Sequence, residues 1–260
     1  MAEPLRFRGG GFVIQPKRHS GWVVGAAVIA IWQVASSAGW VSPIFLPSPA
    51  GIARALTDMA MSGQLWRHLS ASLQRILSGF ALGGSAGIAF GLALGLLSHA
   101  RAAGLPVVSA LFPIPKIALL PLFILWFGIG EPSKVATIAL GVFFPMAIAT
   151  YSGVDQVPRT LIRMAQGFDV PTSAIVAKVI LPGALPSILA GIRIAASIAL
   201  VLVVAAEMIG AEFGVGAFIL TAGNLMRTED LLAGVCLLSL LGLGVGWLVG
   251  TAERRLLGWR

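Results

Sequence analysis

Six apolar stretches, each close to the length that crosses a lipid bilayer, most strongly limit how this chain can fold. They run over Trp22–Trp40, Arg75–Ser98, Ala103–Phe127, Lys134–Tyr151, Leu185–Gly210 and Leu231–Gly250. A membrane-spanning helix needs about 20 mostly apolar residues and pairs all its backbone polar groups internally. Only 11% of the residues are charged, and the sequence lacks the short alternating strands typical of a membrane barrel. It therefore predicts an all-α membrane protein with six transmembrane helices.

The basic residues between these stretches predict which side of the membrane each loop faces. With a cytoplasmic N-terminus, the inner segments contain Arg6, Arg8, Lys17, Arg18, Arg101, Arg159, Arg163, Lys178, Arg254, Arg255 and Arg260, and the outer loops contain Arg54, Arg67, Lys134 and Arg227. Cytoplasmic loops carry the excess of Lys and Arg, so both termini are expected in the cytoplasm. Topology also accounts for the net charge of +8, and no nucleic-acid partner is expected.

The pattern divides the chain into four parts. We expect a cytoplasmic tail over 1–21, the first transmembrane helix and an outer loop over 22–71, a core transmembrane domain over 72–251, and a cytoplasmic tail over 252–260. In the outer loop, apolar residues recur at near-helical intervals and predict an interfacial helix: Ile52, Leu56, Met59, Leu65 and Leu69. The first stretch also has the basic lead and small residues of a signal peptide, so its cleavage stays open.

A stripe of glycines in the second stretch predicts close helix packing. The stripe contains Gly83, Gly87, Gly91 and Gly95. Four-residue spacing places glycines on one helix face, where another helix can approach closely in lipid. The partner is either another helix of the same subunit or a helix of a second subunit. The sixth stretch repeats the spacing with Gly242, Gly246 and Gly250.

The third stretch is interrupted by prolines, and the third and fifth stretches contain charges at depth. Proline breaks at Pro113 and Pro115 are tolerated in a membrane where the backbone lines a wet cavity or is buried in protein. They indicate a pathway-lining helix or a bare kink. Lys116, Arg193 and Glu207 are costly in lipid unless paired or hydrated, and together they suggest a translocation pathway. Arg193 could instead reach the inner surface, and Glu207 the outer one. Two cations among three charges favour an anionic cargo.

Several chemistries have no matching motif in this sequence. There is no G-x-x-x-x-G-K-[ST] nucleotide-binding loop and no H-E-x-x-H metal motif. The single cysteine, Cys236, cannot form an intrachain disulfide or a cysteine-based metal site. We therefore expect no catalytic residues, no metal site and no cofactor in this chain. Any driven work would take its energy from another subunit or from an ion gradient.

A polar segment between the fourth and fifth stretches, Val154–Pro182, contains charges, prolines and a glycine. It resembles the cytoplasmic signature of binding-protein-dependent ABC importer permeases, E-A-A, three residues, G, nine residues, I-x-L-P. Aligned on the closing Leu181-Pro182, the E-A-A positions fall on Arg163-Met164-Ala165 and the glycine position on Asp169. The departures are Arg163 for Glu, Met164 for Ala, Asp169 for Gly and Val179 for Ile.

The resemblance extends from about residue 72 to the C-terminus. Three further segments are similar to the nitrate, sulfonate and taurine branch of these permeases: Pro113–Glu131, Leu181–Pro186 and Ala206–Ala211. The resemblance implies a type I importer permease fold in a bacterial inner membrane. It also implies a second permease copy, two ATPase subunits that bind ATP and Mg²⁺, and a periplasmic or tethered solute-binding protein. The cargo would be a small anion such as an aliphatic sulfonate, taurine or nitrate.

The resemblance further implies a cytoplasmic coupling loop over 152–183 with a coupling helix near 160–176. The residues expected at the ATPase contact are Arg163, Met164, Ala165, Gly167, Asp169, Pro171, Leu181 and Pro182. The alternative is an ion-coupled secondary transporter, which would need titratable acids at mid-membrane. A membrane-embedded enzyme and an exporter subunit are further alternatives, and co-purification of an ATPase and a binding protein would distinguish them.

Overall fold

A computed structural model of the chain describes residues 7–8, 11–12 and 20–258. The helices are α1 (Ser20–Ser37), α2 (Pro49–Met61), α3 (Gln64–Leu96), α4 (Ser98–Leu111), α5 (Leu120–Phe127), α6 (Glu131–Asp155), α7 (Arg159–Gly167), α8 (Thr172–Ile175), α9 (Leu181–Glu207), α10 (Val215–Asn224) and α11 (Thr228–Leu256). A 3₁₀ turn covers Lys116–Leu119, and a π-helical turn covers Val176–Ile180. Two-residue strands β1 (Phe7–Arg8) and β2 (Gly11–Phe12) pair antiparallel. Most of the expected tail over 1–21 lies outside the described residues.

Each of the six predicted segments overlaps a helix, but the helices differ in length. Within the described ranges, α3, α6, α11 and the continuous run Thr172–Glu207 are long and apolar enough to cross a membrane. The third segment is a bent pair, Ser98–Leu111 and Lys116–Phe127, with 89° between its halves, and makes a fifth span if counted as one. The first is a shorter apolar helix over Gly21–Ser37. By length and composition the structure therefore has four spans, or five with the bent pair, where the sequence predicted six.

The core is built around α6, which packs between α3 and α9. Ile138, Val142 and Met146 of α6 are fully buried, and they belong to one apolar cluster with Ile76 of α3 and Ala199 of α9. A helix that is apolar on all sides can be surrounded in this way, whereas an amphipathic helix has to leave one face to solvent. These three helices hold the elements described below in fixed positions.

The glycine stripe of α3 faces α6 of the same chain. A Cβ atom built on Gly83 would lie 2.1 Å from the carbonyl oxygen of Ala139. The corresponding nearest distances for Gly87, Gly91 and Gly95 are 2.6, 2.5 and 2.6 Å. Real Cβ atoms do not come this close to other heavy atoms, so the two helices can approach only because these residues lack side chains. The structure therefore places the stripe in a contact within one subunit.

The glycines of α11 make no comparable approach. A Cβ on Gly246 would meet nothing within 4 Å, and the nearest atom to one on Gly242 is 3.5 Å away. The same helix exposes Leu243 and Trp247. This face of α11 is therefore uncovered in the single subunit.

The outer segment between α1 and α3 contains one helix, α2, which has an N-terminal cap and packs against α11. In α2, Pro49 is the first residue, and the Ser48 hydroxyl accepts a hydrogen bond from the amide of Gly51 at 3.0 Å, which is a standard N-terminal cap. Ile52 and Met59 of α2 are buried in clusters that include residues of α11. The prediction that Leu65 and Leu69 continue this helix is wrong. A turn at Gly63 (φ 76°) separates α2 from α3, and both leucines lie in the first turns of α3.

Candidate functional site: the inner loop and the buried charges

The inner loop folds into a short amphipathic helix, α7, followed by a tight turn. Ile162 and Ala165 are half-buried and pack against the core. On the remaining faces, Leu161, Met164 and Arg163 are exposed. Phe168, just after the helix, is 78% exposed. An exposed group of large apolar and basic side chains at the edge of a folded loop is typical of a protein contact surface.

The turn after α7 depends on a left-handed residue. Asp169 has φ 52°, and the amide of Val170 donates back to the carbonyl of Ala165 at 3.1 Å. Glycine tolerates this conformation best, but Asp is one of the few other residues that adopts it. Asp169 is the position that aligned with the glycine of the permease signature. The tight turn is therefore kept although the glycine is replaced.

After the turn, the chain continues as one helical rod into the core. Pro171 precedes α8, and the run from Thr172 to Glu207 is unbroken. Pro182 has no N–H group to donate to the preceding turn, and the π-helical turn before it bonds the amide of Leu181 to the carbonyl of Val176. Leu181 and Pro182 are half-buried within this rod, so they do not lie on the exposed surface formed by α7. That surface is joined to α9 by the turn at Asp169 and the helical run that begins at Thr172.

Lys116 lies at the break in the third segment. Its Nζ donates to the carbonyls of Leu111, at 3.1 Å, and Phe112, which belong to the last turn of α4. The same atom lies 4.6 Å from the ring centroid of Phe144 and 5.3 Å from that of Phe112. A cation is stabilised both by free carbonyls at a helix C-terminus and by aromatic faces. The break predicted at Pro113–Lys116 is confirmed, and the ammonium group of Lys116 caps the C-terminal end of α4.

Arg193 lies at a different place in the molecule. Its guanidinium pairs with the carboxylate of Glu253 near the end of α11, and the Arg193 side chain is 57% exposed. These are the contacts expected of an arginine that reaches towards the inner surface. Its assignment to the translocation pathway stays a prediction.

Glu207 lies at the opposite end of α9 and is 1% exposed. Its Oε1 is 2.7 Å from Nη1 of Arg75 on α3. The carboxylate also accepts hydrogen bonds from the Ser72 hydroxyl, at 2.8 Å, and from the amide of Gly216, at 2.9 Å. The second bond comes from the first turn of α10, where the helix dipole favours a negative charge. Glu207 is thus a fully partnered, enclosed carboxylate, and these contacts are those of a structural ion pair. Its assignment to the translocation pathway stays a prediction.

Arg75 extends this cluster to the first residue of α6, Glu131. Its Nε and Nη2 each lie 2.6 Å from a carboxylate oxygen of Glu131, a bidentate arrangement that fixes geometry. Its Nη1 also donates to the carbonyl of Phe213 at 2.6 Å. Lys134, expected in an outer loop, is only 3% exposed and donates to the carbonyl of Gly130 at 3.0 Å. One arginine therefore joins α3, α6, α9 and the loop before α10.

The structure does not bring the three predicted pathway charges together, because Lys116, Arg193 and Glu207 contact different sets of residues. Sequence reasoning missed the partner of Glu207. The signal was present: a carboxylate at membrane depth requires a cation nearby, and Arg75 is the first residue of the second apolar stretch. Within the described part of the chain, no group of His, Cys, Asp and Glu is placed to hold a metal ion.

Comparison with known proteins identifies the family. Residues 83–258 match the family described as "Binding-protein-dependent transport system inner membrane component". The chain belongs to this family. The permease is 38% identical over 248 residues to a candidate aliphatic sulfonates transport permease protein, SsuC, of Bacillus subtilis (strain 168), with 94% of this chain and 90% of the relative covered. It is 36% identical over 239 residues to the taurine transport system permease protein TauC of Escherichia coli (strain K12), with 90% and 87% covered.

Solved structures support the same fold. An inward-facing structure of the MetNI methionine ABC transporter superposes on this permease with a TM-score of 0.58 and 21% identity, covering 75% of this chain and 95% of the solved one. A likeness at this identity concerns the fold alone. The predicted type I importer permease fold is confirmed, as is a multi-pass inner-membrane protein of the sulfonate and taurine branch.

Proposed function

We propose that this permease forms the membrane pathway of an ATP-driven importer for a small sulfonate-type anion, and that α7 is its contact with the ATPase. The observation that carries the proposal is the exposed apolar surface of α7 and Phe168, which the turn at Asp169 joins to the continuous helical run Thr172–Glu207. It occurs in a chain that is 38% identical to an aliphatic sulfonates permease. The assembly would contain a second permease copy, two ATPase subunits and a solute-binding protein.

In this proposal, α7 transmits movement mechanically. ATP binding closes the two ATPases, and each displaces the α7 surface that it holds. Ala165 and Val170 are tied by the turn at Asp169, and Ile175 and Ile180 pack the start of the rod against the core. A displacement of α7 therefore moves α9 rather than bending a loose loop. The permease changes state because its contacts with the ATPase differ between the two states, and ATP supplies the free energy.

The cargo follows from the relatives and from charge. Relatives of the permease are named for aliphatic sulfonates and taurine, which share an anionic sulfonate group, and nitrate is a smaller anion. A cation at the break of the third segment, Lys116, favours anions over cations along a nearby path. The alternative of ion-coupled secondary transport is not favoured: the family is that of binding-protein-dependent transport systems, and Glu207 is enclosed and paired with Arg75.

The test compares two exposed phenylalanines at opposite ends of the molecule. Phe168 is 78% exposed beside α7, and Phe45 is 84% exposed on the other side. The permease is co-expressed with a candidate ATPase and a candidate binding protein from the same genome, and the complex is purified and reconstituted in liposomes. We expect Phe168→Ser to lower ATPase recovery at least tenfold, because truncation of a central aromatic anchor costs about 2 kcal/mol or more.

The control variant Phe45→Ser is expected to retain the ATPase at the level of the parent protein. ATP-dependent uptake of taurine or an alkanesulfonate by the parent complex would support the function. Uptake by the permease alone, driven by an ion gradient, would overturn it. Equal ATPase recovery with Phe168→Ser and Phe45→Ser would place the docking surface elsewhere.

A further inference from the structure

We propose that the inner face of the permease contains a binding site for the phosphate headgroup of an anionic phospholipid, at the base of α7. The site is a cavity of about 410 Å³ between the start of α4, the end of α6 and α7. Its polar wall is formed by Ser98, Arg101, Asp155 and Arg159. This site is separate from the exposed α7 surface and from the charged cluster around Arg75.

The polar wall of the cavity has a net charge of +1, because it contains two arginines and one aspartate. Arg101 pairs with Asp155 at 2.7 Å, and its guanidinium lies 5.0 Å from the ring centroid of Tyr151. The side chain of Arg159 has no ion pair or hydrogen bond among the residues that the structure describes. The remaining single positive charge complements a phosphodiester, which carries one negative charge. Basic pockets between transmembrane helices on the cytoplasmic side bind phospholipid headgroups in this manner.

The donors are arranged on rigid elements. Arg101 also donates to the carbonyl of Leu94 at 3.3 Å, which together with Tyr151 holds its guanidinium in place. Ser98 contributes a hydroxyl at the first residue of α4, and that helix begins without a side-chain cap. Amide donors at such an end remain available to an anion. Arginine is suited to phosphate because its donors form a planar fork.

An apolar cavity next to the polar one favours a lipid over a free anion. The second cavity, also about 410 Å³, is lined by Leu105, Val108, Phe112 and Ile148. The two cavities are neighbours along α3: Gly95 lines the polar cavity, and the preceding residue, Leu94, lines the apolar one. A charged cavity adjoining an apolar one matches a phosphate group attached to an acyl chain, whereas inorganic phosphate or a small sulfonate would leave the apolar cavity empty.

The test is lipid retention by the purified transporter complex, measured by native mass spectrometry. The complex is stripped with detergent and titrated with dioleoylphosphatidylglycerol or with dioleoylphosphatidylcholine. We expect phosphatidylglycerol to bind in preference to phosphatidylcholine, and Arg159→Ala to weaken that binding about fivefold, which is the usual contribution of one basic residue. The matched control is Lys178→Ala, which removes the same charge from the same loop but lies outside the cavity.

A second variant tests the apolar half of the site. Ser109 is exposed and lines the apolar cavity, so Ser109→Trp fills that space without disturbing the arginines. We expect it to weaken binding of the dioleoyl lipid but not of a short-chain phosphatidylglycerol. Equal losses with Lys178→Ala and Arg159→Ala would overturn the site in favour of diffuse surface charge. Displacement of the lipid by millimolar inorganic phosphate would also overturn it, in favour of a soluble anion. The readout does not depend on transport, so it is independent of the proposed cargo.

Discussion

Nη1 of Arg75 lies 2.7 Å from Oε1 of Glu207, and the Glu207 side chain is fully enclosed. The two residues are 132 positions apart, so their contact fixes the start of α3 against the end of α9. Removing one member of a buried pair leaves an unpaired charge, which costs far more than the pair itself contributes. The contact therefore determines whether the outer ends of the core helices stay together.

We predict that Arg75→Met destabilises the permease by about 3–5 kcal/mol. Methionine fills much of the same space but leaves Glu207 without its cation and Phe213 without a donor to its carbonyl. The matched control is Arg227→Met, because Arg227 forms an ion pair with Asp230 at 2.6 Å but is 64% exposed. Exposed pairs contribute about 0–1 kcal/mol.

Thermal unfolding of both variants in the same detergent provides the measurement. Arg75→Met is expected to lower the midpoint by many degrees or to prevent recovery of folded protein, and Arg227→Met to change it little. Because Arg75→Met could fail to fold at all, Glu131→Gln serves as a milder second variant. Its side chain is 60% exposed, so a smaller loss is expected. Equal midpoints for Arg75→Met and Arg227→Met would contradict a structural role for the pair.

Local features of this fold could be predicted from the sequence, whereas its long-range contacts could not. The proline break at Pro113–Lys116 follows from the missing amide donors, and it is present with an 89° bend. The pairing of Arg75 with Glu207 joins residues on different spans, and a single sequence contains no distance between them. The short α1 and the early start of α3 were missed because apolar length alone does not show where a helix bends or begins.

In the candidate site, too, local features could be predicted from the sequence and long-range contacts could not. The spacing of the signature located the inner loop, but the prediction of one coupling helix near 160–176 is wrong. Helix α7 ends at Gly167, and a turn at Asp169 separates it from α8, which begins at Thr172. The α3–α6 contact was left open between one subunit and two, because a glycine stripe is equally suited to both. Only the positions of Ala139, Phe143 and Ala147 beside that stripe assign it to one chain.

We predict that Gly83→Ala destabilises the permease and Gly84→Ala does not. An added Cβ at Gly83 would lie 2.1 Å from the carbonyl oxygen of Ala139, and this backbone atom cannot move aside. An added Cβ at Gly84 would lie 3.5 Å from the ring of Phe80, an ordinary contact. Overpacking costs about 1–3 kcal/mol. The two variants differ only in helix face, so equal thermal midpoints would contradict the packing described for Gly83.

We predict that the turn after α7 is stabilised by Asp169→Gly and opened by Asp169→Val. The left-handed conformation is about 1–2 kcal/mol less favourable for a β-branched residue, and Asp169 has φ 52°. The measurement is hydrogen exchange at the amide of Val170, which donates across the turn to Ala165. Exchange should be about 5–30 times faster in Asp169→Val. The control Gln166→Val places the same side chain in an ordinary helical position, and equal acceleration there would contradict the prediction.

Lys116 can act through the charge of its ammonium group or through the packing of its stem, and two substitutions distinguish these roles. An anion that passes about 5 Å from an ammonium gains about 3 kcal/mol at an effective dielectric constant near 20. We therefore expect Lys116→Met, which keeps a long stem beside Phe112 and Phe144, to lower ATP-driven anion uptake at least tenfold while ATP hydrolysis continues. Lys116→Arg keeps both the charge and the donors to the carbonyls of Leu111 and Phe112, and should retain most uptake. Reconstituted complexes of the two variants, matched for ATPase content, give the comparison. If Lys116→Met transported at the parent rate but unfolded at a lower temperature, Lys116 would serve only to cap the break at the end of α4.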